Sequence, residues 1–203
     1  MFRSALLAAT LFATSTAPLF AQSFPLETQL PAPLVDPALA TPLSGADAIA
    51  VHEVVTRVYL AEDSRNAAAL ANLVTDDFVQ DHTLYGQVVG DEEFSQWVLD
   101  NPTAFDRYRH VALNIVTRQV GPDAAEALSY VMVVEAHAAN EEAAPALPRI
   151  LAMGVVRDAL VKEGGRWRIK HRIYDQFAVT AAVLEDPGLR LQASGAIASD
   201  SSQ

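Results

Sequence analysis

Two textures divide the chain. From Ser44 to Asn101 apolar residues return every three or four positions, whereas from Tyr108 to Phe177 they run in long stretches rich in β-branched and aromatic residues. In the first half, Ser44 followed by Asp47 resembles a capping box, and Val51, Val54, Val55, Val58, Tyr59 and Glu62 recur behind it at helical spacing. A first helix starts there. Asn66 is placed to cap a second, short helix over Ala67–Val74, where alanine and leucine supply propensity and one apolar face. Phe78–Tyr85 reads as a short strand, and Gly86 and Gly90 bracket a turn. Asp91 then caps a third helix carrying Phe94, Trp97 and Val98, which Asn101-Pro102 stops.

The second half predicts four strands: Tyr108–Val120 ending at Gly121-Pro122-Asp123, Glu126–His137 ending in an acidic alanine-rich loop, Ile150–Lys162 ending at Gly164-Gly165, and Arg166–Phe177. Consecutive strands with short connections form an antiparallel meander. Helices followed by a long-stranded antiparallel sheet make an α+β fold, built around an apolar pocket. Along the last strand Trp167, Ile169, His171, Ile173, Asp175 and Phe177 alternate with Arg166, Arg168, Lys170 and Arg172, which predicts His171 and Asp175 on the inner face. By the same alternation His110, Ala112, Asn114 and Val116 share the polar-bearing face of the first long strand, the expected pocket wall. The opposite, aliphatic face is expected to pack on a partner or tail.

The ends are different. Met-Phe-Arg, the uncharged run Ala5–Ala13 and the small-residue stop Leu19-Phe20-Ala21 follow the pattern of a secretory leader over residues 1–21, too short and too polar for a membrane span. An exported, periplasmic or secreted protein is expected. Residues 22–42 carry prolines among isolated hydrophobics and read as an extended linker or a strap over the surface; 43–191 form the folded body, and 192–203 a flexible tail. There is no cysteine, so disulfides, thiol nucleophiles and thiolate metal sites are excluded. A net charge of −11 argues against nucleic acid or anionic lipid as partner.

Several residues together resemble a known family. Tyr59-Leu-Ala-Glu-Asp-Ser-Arg-Asn66, Leu73-Val-Thr-Asp-Asp-Phe78, Gly90-Asp-Glu-Glu-Phe94, Arg109-His110-Val-Ala-Leu-Asn114, Gly154-Val-Val-Arg-Asp158 and Gly165-Arg-Trp-Arg-Ile169 with Arg172 occur in the order seen in SnoaL-like proteins of the nuclear transport factor 2-like superfamily. The resemblance covers about Ile49 to Phe177. It implies a curved sheet wrapped around helices into a cone whose mouth holds a small molecule. In the scytalone dehydratase branch an Asp ending the first helix and a His on this strand cooperate in acid/base dehydration, and Asp63 and His110 resemble those two. Counting back from Trp167, that branch's strand Ser and Asn fall near Gly154 and Val156 and its second His near Tyr130, and these do not match.

Asp63 lies one turn beyond Tyr59 at the edge of an apolar stripe, where a carboxylate suits proton transfer, and His110 is the residue type whose proton moves near neutral pH. Their plainer readings are a solvated helix-end acid and a structural hydrogen bonder. Tyr59 is expected to orient a ligand, with Trp97, Asn114, Tyr130, His171 and Asp175 lining the pocket. Asp76, Asp77, Asp81 and His82 lack the glycine-bearing calcium pattern and read as an exposed turn. No dinucleotide fingerprint, phosphate loop, His-Glu-x-x-His pair or nucleophile elbow is present, so no cofactor is expected. Two functions fit: a cofactor-independent isomerase, cyclase or dehydratase for a small apolar carbonyl or polyketide-like compound, or a non-catalytic binding module using the same cone. A homodimer suits both.

Overall fold

In the computed structural model of the chain, residues 30–82, 86–101, 105, 107–135 and 147–180 are described. The proposed leader, the start of the linker and the tail lie outside them. Along the chain run a short helix α1 (Ala32–Val35), a 3-10 turn (Pro37–Leu39), α2 (Gly45–Asp63), α3 (Ala67–Leu73), β1 (Val74–His82), β2 (Gly86–Val89), α4 (Asp91–Asp100), β3 (Tyr108–Gly121), β4 (Ala124–Glu135), β5 (Arg149–Glu163) and β6 (Arg166–Val179). The six strands form one curved sheet in the order β2-β1-β6-β5-β4-β3. The α+β layout and the antiparallel β3–β6 meander are as the sequence predicts.

Three expectations change. The segment between Gly86 and Gly90, read as a turn, is strand β2, paired antiparallel with β1 from Val79↔Val89 to His82↔Gly86. The sheet is mixed, because β1 joins β6 in parallel, with Asp81 opposite Ile173. The proline-rich linker is not wholly extended where it is described: α1 lays Leu34 against Leu128 and Val155 on the convex face. Periodicity could not show this, since a four-residue helix is too short to display a period.

The caps are those the sequence announces. Ser44 Oγ accepts from Asp47 N at 3.2 Å and Asn66 Oδ1 from Ala69 N at 3.0 Å. Asp47 has a second duty. Its Oδ1 accepts from Lys162 Nζ at 2.7 Å and from Trp167 Nε1 at 2.8 Å, tying the start of α2 to the β5–β6 hairpin. Val51, Val55 and Val58 then bury α2 against the concave face in one core with Phe78, Phe94, Leu160, Trp167 and Ile169, and Tyr59 packs beyond them with Val131, Val156 and Tyr174.

Bulges decide which side chains face inward. Between Ile169 and His171 strand β6 spends two residues against one step of β5 (Leu160 to Ala159), and Gln176, at φ 49°, adds a second extra residue. Beyond Lys170 the faces therefore exchange. Arg172 and Tyr174 turn inward, while His171, Ile173 and Asp175 turn outward. In β3 the extra residue falls between Leu113 and Val116, where Asn114 takes φ 52°. Strict alternation fails at each of these points.

One close approach keeps the concave face intact near β6. A Cβ on Gly154 would stand 2.3 Å from Cδ2 of Phe177, so the ring lies directly on the glycine. Gly154→Ala should displace Phe177 and cost about 1–3 kcal/mol, read as a lower urea midpoint; an unchanged midpoint would show that the ring yields freely.

Candidate functional site

Helix α2 ends inside the cone, and Asp63 is its last residue. The carboxylate meets the start of β3 twice: Oδ2 accepts from the His110 backbone N–H at 3.0 Å, and Oδ1 lies 2.7 Å from His110 Nδ1. A carboxylate on Nδ1 places the ring proton there and leaves the Nε2 lone pair available as a base. Both side chains are largely buried, 9% exposed for Asp63 and 14% for His110. The plainer reading of Asp63 as a solvated acid is excluded by that contact.

Aromatic rings hold the imidazole on two sides. Tyr59, one helical turn before Asp63, stacks on it at 5.7 Å between centroids and 10° between planes. Phe105 sits 5.9 Å away, and Trp97 meets Phe105 edge-on at 5.4 Å. Trp97 therefore joins this cluster through Phe105. Tyr59 is expected from sequence to touch a ligand, but it is 1% exposed and packed between His110 and a guanidinium, so it braces the imidazole instead.

That guanidinium belongs to Arg172, which is fully buried. Its centre is 4.6 Å from the Tyr59 ring and 5.9 Å from that of Tyr174. Asp158 binds it in bidentate fashion, Nε to Oδ1 at 2.7 Å and Nη2 to Oδ2 at 3.0 Å, and Glu62 Oε1 stands 3.8 Å from Nη1. Burial pushes the Glu62 carboxyl up to about 7, against the lowering fields of His110 and Arg172. Burial also raises the phenols of Tyr59 and Tyr174, keeping both neutral.

His82 completes the inner face. It follows Phe78 and Gln80 at alternate positions of β1, packs 4.6 Å from Tyr174 and 4.9 Å from Phe177, and is held neutral by burial, with its value pushed down to about 3 and the nearby His110 adding to the effect. The sequence places it in an exposed turn with Asp76, Asp77 and Asp81. Those aspartates do point outward: Asp76 and Asp77 pair with Arg168 and Lys170, and Asp81 with His171. Period-2 alternation through Phe78, Gln80 and His82 was the signal that separates His82 from them. Among the described residues no three His, Asp or Glu side chains converge as metal ligands.

Four expected pocket residues lie elsewhere. Asn114 is exposed at the β3 bulge. Tyr130 packs on the convex face with Leu30 and Leu34. His171 and Asp175 are turned to that same face by the β6 bulge, His171 bonded to Asp81 at 2.7 Å and Asp175 facing Arg157 at 3.5 Å. There His171 lines a hollow of about 200 Å³ beneath Pro31 and Leu34, with Arg118 and Arg157 at its edge. Arg118 is already engaged by Glu126 at 2.5 Å.

A helix-filled α+β cone with a carboxylate–imidazole pair at its inner wall defines a class. The chain belongs to the SnoaL-like domain family, whose profile matches residues 46–173. No protein of curated function matches it. Among solved structures it is similar to a Nostoc punctiforme protein of unknown function with a cystatin-like fold (20% identity, 66% of this chain and 94% of that one, TM-score 0.55). It is similar also to a candidate scytalone dehydratase of Novosphingobium aromaticivorans (20%, 66% and 88%, 0.54) and to Aln2 of a Streptomyces species (16%, 66% and 93%, 0.57). These likenesses establish the nuclear transport factor 2-like fold.

The state of His82 generates a pH prediction. Its folded value lies below the ordinary histidine value, so its contribution to stability is complete above about 6.5 and is lost as pH falls towards about 3. Between pH 7 and 4 wild type should lose up to about 3 kcal/mol more than His82→Phe, measured by urea denaturation at each pH. Parallel pH profiles would exclude a buried neutral His82.

Proposed function

We propose that this chain is an exported, cofactor-independent acid/base enzyme acting on a small apolar carbonyl or polyketide-like compound, with His110 as the proton carrier and Asp63 as its orienting partner. The observation that carries this reading is the 2.7 Å contact between Asp63 Oδ1 and His110 Nδ1, which aims an available Nε2 away from the carboxylate. In an isomerisation or cyclisation, Nε2 takes a proton from the carbon beside the carbonyl and returns it to another atom of the same substrate. In a dehydration it delivers that proton to the departing hydroxyl, so water leaves and the base is restored. The Asp63 carboxylate stabilises the imidazolium between the two transfers. Aromatic neighbours keep the surroundings of low polarity, which strengthens that charge pairing.

Asp63→Asn leaves the backbone contact to His110 possible but favours the wrong imidazole tautomer. It should lower kcat by at least about a hundredfold, with the circular dichroism spectrum and melting point near wild type. Unchanged turnover in a folded D63N protein would sink the assignment. If neither protein turns over any of a panel of apolar carbonyl compounds, yet both bind them equally in calorimetry, the binding-module reading is supported instead.

The same reading includes a homodimer. Leu113, Val116, Ile150 and Met153 are 37%, 40%, 60% and 46% exposed on the convex face, beyond the strip that α1 covers. Light scattering at micromolar concentration should give twice the monomer mass, and Ile150→Lys with Met153→Lys should reduce it to one. A monomeric wild type would remove this part.

A further inference from the structure

The last turn of α2 carries two consecutive carboxyls with different surroundings. Asp63 meets His110 at the start of β3, whereas Glu62, 2% exposed, points into the centre of the cone. The charged and titratable groups around it are Tyr59 and Asp63 from α2, His110 from β3, Asp158 from β5, and Arg172 and Tyr174 from β6. Arg172 is already neutralised by the bidentate Asp158. Glu62 Oε1 makes no hydrogen bond and stands 3.8 Å from Nη1 of Arg172. The sequence includes Glu62 in the periodic buried stripe of α2, where a glutamate is costly and a leucine would pack without cost. A carboxyl kept there without a full set of partners is placed for its charge.

We propose that Glu62 is a positioning residue for the Asp63–His110 pair, its buried carboxyl setting the field in which His110 gains and loses a proton. The mechanism is electrostatic. With Arg172 and Asp158 cancelling, an ionised Glu62 adds one negative charge beside the Asp63 that binds the imidazole and favours the ring's protonated form; a neutral Glu62 removes that support. Linkage makes the effect mutual: a proton on His110 favours loss of the proton on Glu62 to solvent, by the same free energy. Burial places the Glu62 transition at about 7, so the coupling acts where the site would work. It deepens the acid/base reading but does not need it, because the coupling exists whether or not a substrate is turned over.

The test therefore uses no substrate. Full-length protein labelled with 13C at carboxyls and 15N at imidazoles is titrated by NMR from pH 4 to 9. The Glu62 carboxyl should titrate near neutrality, and the His110 ring signal should show a second inflection at the same pH. In Glu62→Gln that inflection should vanish. In His110→Asn the Glu62 midpoint should rise by about half a unit to one unit. Should either variant fail to fold, the wild-type curves decide alone, since coupled sites report each other's midpoints. A Glu62 carboxyl that titrates in the ordinary acid range, or two independent single-site curves, would overturn the proposal. Either result leaves the D63N kinetic test of the acid/base reading untouched.

Discussion

The guanidinium of Arg172 at the centre of the cone is the constraint on which the rest of the interior depends. An always-charged group with no exposure must be paired and hydrogen-bonded, and Asp158 on the adjacent strand meets it with two bonds. Removing either partner would leave a buried charge, a loss of about 3–5 kcal/mol. With that pair in place the flat face of Arg172 becomes a platform. Tyr59 lies on it, and His110 stacks on the other side of Tyr59. Strand β6 thus orients a histidine on strand β3 that it never touches in the sheet.

Helix α2 supplies the second half of the arrangement. Its start is tied to the β5–β6 hairpin through Asp47, and its buried stripe runs down the concave face, so its last turn is delivered inside the cone. Position 59 braces the imidazole, position 62 faces the guanidinium and position 63 binds the imidazole. These are one turn of helix used for three different purposes. Because α2 is anchored at one end by hydrogen bonds and along its length by packing, the carboxylate of Asp63 is held in position against His110.

The convex face follows a separate logic. The bulge at Lys170 turns His171, Ile173 and Asp175 outward, where they meet Asp81, Arg157 and the edge of the α1 strap. Histidine and aspartate in a strand that otherwise alternates apolar and basic residues suggest an interior site, and here they build a paired, half-covered outer surface. The inward residues that matter, Arg172 and Tyr174, stand at positions that plain alternation assigns to the outer, basic face.

How much of this was legible follows from the range of each interaction. Helix caps at Ser44 and Asn66, the stripe of α2, the strand boundaries at glycine pairs and the order of helices and strands depend on residues within a few positions of one another, so the sequence by itself determined them. Asp63 and His110 were legible as candidates because one ends a helix stripe and the other opens a strand. Their contact spans 47 residues, and only the tertiary structure decided it. The same holds for the parallel β1–β6 pairing, for Asn114, Tyr130, His171 and Asp175 leaving the concave face, and for Arg172 joining it. A bulge adds one residue and reverses every side chain beyond it, at an energy too small and a position too dependent on neighbouring strands for local pattern to reveal.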